Sequence, residues 1–226
     1  YTSMIAIMNS MKNHGEEIAL VLMGGVNYFT GQAFDMAAIT DKAQNCGCRV
    51  GFDLAHAAGN IKLNLHNWGV DFAVWCGYKY LNGGPGAPSG VFIHERHLGR
   101  KDLPRFEGWW GTKKETRFLM KPEFDPIETA DAWQLSNPPI LSIAPYLASL
   151  EIFDEVGMDA LIKKQKTIVA YLEYVLHEID KEVDSSFEII TPLFSESTIA
   201  LLEIPLFTFN NVVSYPVLNS IALALI

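Results

Sequence analysis

Three short apolar runs, each closing on polar or glycine-rich sequence, set the strongest limit on how this chain can fold. They are "IALVLMGGV" (18–26), "CRVGFDLAH" (48–56) and "VDFAVWCGYKY" (70–80). A strand with one solvated face alternates apolar and polar side chains, whereas an uninterrupted apolar run of this length suits a strand buried on both faces. The first run is expected to be such a strand. Before and between the runs lie stretches of a different character. Residues 3–15 place Met4, Ile5, Ile7, Met8 and Met11 on one side, residues 36–47 form a second short helix, and a brief amphipathic piece precedes the third run. "SGVFIHE" (89–95) adds a fourth strand. The alternation predicts βαβ units, hence an α/β fold with a mainly parallel sheet and helices on both faces. In open parallel sheets ligands bind beyond the carboxyl ends of the strands. Tyr28 and Thr30, Asp53 and His56, and Tyr78 and Lys79 fall at those three ends.

Beyond residue 140 the pattern changes. Residues 140–182 have helical periodicity broken near Gly157, which predicts two helices, the second long, with Ile162, Ile168, Leu172, Val175 and Ile179 recurring at three- and four-residue steps. "FEIITP" (187–192) has the character of a strand. A boundary in 135–160 would divide residues 1–140, part of a large sheet domain, from 141–192, the start of a smaller α+β domain. Residues 193–226 form an atypical tail.

Charge and cysteine usage narrow the function. With 26 acidic against 17 basic residues the net charge is −9, which argues against a general nucleic-acid binder. The basic cluster Arg96, Arg100, Lys101, Arg105, Lys113, Lys114 and Arg117 is expected to be a solvated loop. Cys46, Cys48 and Cys76 fit no disulfide framework, and Cys46-x-Cys48 is too close for a usual zinc pair. Free thiols in a reducing, cytoplasmic setting are expected, with Cys76 a buried, inert one. No metal site is expected. No apolar run approaches the roughly 18 residues that suggest a membrane span. No signal peptide begins the chain, and its first residue, Tyr1, suggests a fragment or a processed product.

The candidate chemistry is concentrated at two of the strand ends. Lys79 lies between Tyr78 and Tyr80, ahead of "LNGGPG". Such a lysine can simply reach to water, or it can be a reactive amine, whose task is to attack an aldehyde and whose neighbouring glycines let a bulky cofactor approach. Asp53 can cap a helix, or pair with a protonated ring nitrogen and make that ring a better electron sink. His56 can be a packed histidine or a ligand-facing one. Tyr78 can be a buried phenol or a proton shuttle. "EGWWGT" (107–112) sets two tryptophans between glycines, which suits core packing or a ligand-facing loop, and Asn137 in "LSNPPIL" (135–141) sits in a rigid turn that can also hold an anion.

Taken together, "VGFDLAHAAGN", "LHNWGVDFAVWCGYKYLNGGPG", "FIHERH", "GWWG", "TRF" and "LSNPPIL" resemble the kynureninases, pyridoxal-phosphate enzymes of the aspartate-aminotransferase fold (fold type I). The likeness runs in order from about residue 15 to about 192. It implies a hydrolase of tryptophan catabolism and NAD biosynthesis that splits L-kynurenine or 3-hydroxykynurenine into anthranilate or 3-hydroxyanthranilate and L-alanine. Lys79 would carry the cofactor and move the Cα proton. Asp53 would hold the pyridine nitrogen, Tyr78 the phosphate and a proton at the substrate carbonyl, and His56 would lie near both. Trp109 and Asn137 would contact phosphate or substrate from the partner chain of a cytoplasmic homodimer.

Three departures from the family stand out. An N-terminal region with a ring-stacking aromatic, a further aspartate and a phosphate loop has no counterpart. Thr112 stands where the family has His. After "EIITP" the family's carboxylate-binding arginine gives way to a stretch without arginine, as an altered splice or reading frame would produce. Two expectations follow: a kynureninase of which this is an incomplete portion, inactive by itself, or an inactive paralogue that keeps the fold and dimerises. Another lyase or a desulfurase of the same fold is the chemical alternative.

Overall fold

The structure is a computed structural model that describes residues 3–182. Four five-residue strands, β1 (Leu20–Gly24), β2 (Arg49–Asp53), β3 (Phe72–Cys76) and β4 (Ser89–Ile93), form one sheet in the order β1-β2-β3-β4. The β1–β2 and β2–β3 pairs are parallel and β3–β4 is antiparallel. Residues 77–88 join β3 to β4 through turns without a helix. The chain turns back there, so β4 runs antiparallel to β3. Four helices accompany the strands: α1 (Met4–His14), α2 (Met36–Asn45), α3 (Ile140–Val156) and α4 (Met158–Glu182). Asp35 caps α2 by accepting from Ala38 N at 2.9 Å, which satisfies a first-turn donor. The expected amphipathic piece between β2 and β3 is a series of turns.

The core lies on one face of the sheet. Val50, Phe52 and Ala73 are fully buried there, together with Met11 of α1 and Met36, Ile39 and Ala43 of α2. Because strand side chains alternate, the register puts Leu20, Leu22, Gly51, Asp53, Phe72, Val74 and Val91 on the opposite face. On that face Leu20, Leu22, Val74 and Val91 are 42–57% exposed. The expectation that 18–26 is buried on both faces is therefore corrected: no helix covers this side of β1 among the described residues. The Phe72 ring fills the space above its register partner Gly51, where an added Cβ would come within 2.3 Å of it.

At the amino end of β3, Asp71 is buried and ties several segments together. One carboxylate oxygen accepts from Val50 N at 2.8 Å and from Gln44 Nε2 at 3.3 Å. The other meets Arg96 Nη2 at 2.7 Å and His97 Nε2 at 2.6 Å. This corrects the solvated-loop expectation for Arg96. The expected strand 187–192 and the tail 193–226 lie outside the described residues.

Candidate active site

Beyond β3 the chain passes through Gly77 and Tyr78 to Lys79 and then reverses. The reversal is closed by Asn82 N donating to Lys79 O at 3.0 Å and Gly83 N to Gly77 O at 2.9 Å. Asn82 adopts a left-handed conformation (φ 54°), which its short amide side chain tolerates. This turn holds Lys79 at the carboxyl end of the strand, half-buried, with Nζ 2.6 Å from Nε2 of His56. Lys79 is thus a bonded amine rather than one that simply reaches to water. At that separation one nitrogen donates and the other accepts.

His56 follows β2, and its ring lies 6.3 Å from that of Tyr28, beyond β1, and 6.1 Å from that of Tyr80, beyond β3. Groups from the ends of three parallel strands therefore meet around one imidazole, where the topology rule places ligands. Asp53 closes β2 and is exposed on the uncovered face. Its Oδ1 accepts from Ala55 N at 2.8 Å, a local turn that starts the chain toward His56.

Tyr78 is 54% exposed. The charge interaction with Cys76, then the hydrogen bond to its sulfur, push its hydroxyl up from the ordinary phenol range, and burial adds to this. Cys76 itself is half-buried and contacts Ala55 O at 4.0 Å. The expected buried, inert thiol is instead a neighbour of the candidate hydroxyl.

Trp109 and Asn137 belong to a second cluster. Trp109 opens a short 3-10 turn (Trp109–Gly111). Gly108, just before it, has an ordinary φ of −105°, but an added Cβ would lie 2.2 Å from the Cα of Leu135. The glycine is there because two backbones touch, and that contact brings the Trp109 turn beside Asn137, two residues beyond Leu135. Both residues are exposed, and Asn137 Oδ1 accepts from Ser136 Oγ at 3.2 Å. Trp109 packs edge-on against Trp110 at 5.2 Å and borders a cleft of about 260 Å³ with Thr112, Thr116 and Arg117. Within the described residues no hydrogen bond joins this cluster to Lys79.

Sequence reasoning missed two cationic partners. The guanidinium of Arg105 lies 4.7 Å over Trp133, and that of Arg117 lies 4.5 Å over Trp110 and 5.5 Å over Trp109. Neither is simply solvated. The signal was an arginine a few residues beyond paired tryptophans, but which ring it meets is a tertiary fact.

The donor set suits a cofactor that carries an aldehyde, a ring nitrogen and a phosphate. An amine and an imidazole meet at the strand ends, a carboxylate and a phenol stand on neighbouring residues of the same two ends, and an indole lies on a turn that touches the segment carrying the amide. No group of three or more His, Cys, Asp or Glu residues among those described could hold a metal ion.

The aminotransferase class-V family matches residues 3–186. The chain is 67% identical over 186 residues to a kynureninase of Christiangramia forsetii and 61% identical over 198 residues to one of Flavobacterium johnsoniae. These alignments cover 82% and 88% of the chain but 44% and 47% of the relatives, so it spans about half their length. Among solved structures it is similar to the cysteine desulfurase CsdA of Escherichia coli, with a TM-score of 0.66 at 15% identity over 91% of this chain and 47% of that one. An apo cysteine desulfurase of Thermococcus onnurineus gives 0.62 at 17% over 96% and 50%. Likeness at such identities speaks for the fold alone.

Proposed function

The chain belongs to the aminotransferase class-V family, and we propose that it is the portion of a pyridoxal-phosphate-dependent hydrolase that carries the lysine and its partners, acting on L-kynurenine or 3-hydroxykynurenine. The products are anthranilate, or its 3-hydroxy form, and L-alanine, a step of tryptophan breakdown toward NAD. The observation that carries this reading is the Lys79–His56 pair at the strand ends, in a chain two-thirds identical to a kynureninase. No helix among the described residues is long and apolar enough to cross a membrane. A cytoplasmic homodimer, with residues 1–140 in its large domain, 141–192 beginning the smaller one and 193–226 as a tail, completes the proposal.

Pyridoxal phosphate, when bound, supplies an aldehyde and a protonated pyridine ring that takes up the electron pair left when Cα loses its proton. Lys79 would offer the amine that holds this aldehyde and would afterwards carry the proton at Cα. His56 would restrain that amine through their hydrogen bond. Asp53 would hold the ring nitrogen and favour its protonated form. Tyr78 would give a proton at the substrate carbonyl, its hydroxyl raised above the ordinary phenol range beside Cys76. Trp109 and Asn137 hold phosphate or substrate across the dimer.

The test is reduction with borohydride after adding pyridoxal phosphate to the purified chain, followed by peptide mapping. An absorbance band near ~420 nm, with the label on Lys79, is the expected outcome. Label spread over surface lysines, with no band, overturns the assignment.

A further inference from the structure

We propose that Arg117 is a positioning residue for the ligand-binding face of Trp109. This rests on the role given to Trp109 above. Arg117 Nη2 donates to Trp110 O at 2.5 Å and to Thr112 O at 3.1 Å. These two carbonyls stand on either side of Gly111, at the end of the 3-10 turn that begins at Trp109. In the same pose the guanidinium carbon lies over the rings of both tryptophans, 4.5 and 5.5 Å from their centroids. One planar cation therefore holds two carbonyls of the turn while its carbon lies within 5.5 Å of both indole centroids.

Only arginine does both at once. Its fork donates in the plane while its face stacks, whereas an ammonium is a compact point charge that does one or the other. The arrangement carries a cost. Nε of Arg117 is buried with no hydrogen-bond partner among the described residues. Native structures rarely leave such a group unpaired without a compensating role. Trp109 is 47% exposed, with Trp110 and Phe118 as its aromatic neighbours at 5.2 and 6.4 Å, so Arg117 adds a polar hold to an outward-facing ring. The Gly108–Leu135 backbone contact and the Arg117 hydrogen bonds both hold the turn. Arg117 and Trp109 border the same cleft, so a shift of the guanidinium changes the wall that the ligand meets.

The experiment compares Arg117→Lys, Arg117→Gln, Trp109→Phe and the double variant Trp109→Phe/Arg117→Lys in the full chain. Two quantities are read: pyridoxal-phosphate affinity from the absorbance titration, and the indole region of the near-ultraviolet circular dichroism spectrum. Far-ultraviolet spectra establish that each variant is folded, and Arg117→Gln, which keeps a donor without the planar cation, stands in if Arg117→Lys is not. The inference expects Arg117→Lys to change the indole signal and weaken affinity about tenfold, the equivalent of one lost clamp. It also expects the double variant to bind no more weakly than Trp109→Phe. An additive double variant, or an unchanged indole signal, overturns the inference while the reading of Trp109 stands. Unchanged affinity in Trp109→Phe overturns both.

Discussion

Asp71 shows how much one side chain can organise. Its carboxylate joins α2, β2, β3 and the turn containing Arg96 and His97. Burial pushes its pKa up, but the hydrogen bonds from Arg96, Val50 N and His97, with the charge of Arg96, outweigh burial and hold it below the usual carboxylate range. A carboxyl with a depressed folded pKa stabilises the fold above its unfolded value, ~3.9, and that contribution is lost as pH falls through the folded value. Urea unfolding of Asp71→Asn should therefore show a flatter loss of stability below about pH 4 than the parent chain. At neutral pH Asp71→Ala should cost about 3 kcal/mol, since it strands buried donors. An unchanged unfolding midpoint in both variants would show that the cations find other partners. Residue types at the strand ends were legible in the sequence because topology fixes where strands finish. The partners of Asp71 were not, since an acid opening an apolar run gives no hint of which cation reaches it.

Among the elements, two glycines do different work at similar cost. Gly157 separates α3 from α4 with φ 76° and nothing near its missing side chain, so its constraint is conformational. Gly108 has ordinary angles but lies against the backbone of Leu135, so its constraint is contact. Gly157→Ala should cost about 1–3 kcal/mol and leave the Trp109 turn intact. Gly108→Ala should cost a similar 1–3 kcal/mol and also change the tryptophan signal, because the turn must move. Denaturant titrations followed by tryptophan fluorescence distinguish the two, and the same response in both would refute the distinction. The break at Gly157 was legible, as were α1, α2 and the strands to within a few residues. Periodicity and glycine are local signals. The uncovered face of β1 was not, because an apolar run records that a surface avoids water, not which element shields it.

At the scale of the molecule, the sheet presents two different surfaces. One is the core; the other displays Leu20, Leu22, Val74 and Val91. Exposed contiguous apolar surface binds hydrophobic dyes. The triple variant Leu22→Thr, Val74→Thr and Val91→Thr puts a strand-forming residue at all three sites, and it should reduce the fluorescence of an anilinonaphthalene dye by at least roughly half while the far-ultraviolet spectrum persists. Unchanged dye binding would place the apolar surface elsewhere. Fold class was legible at this scale, since alternating short apolar runs admit few architectures. The meeting of Lys79 and His56 was legible only as proximity to strand ends, and the clamp on Trp109 not at all. The same strands that carry Lys79 and His56 at their carboxyl ends are anchored at their amino ends by Asp71, about 16 Å away along β3. Folding and chemistry thus depend on separate inheritances. A lineage could drift to a new reaction, or abandon one, by changing the carboxyl ends alone and still pass on the same scaffold.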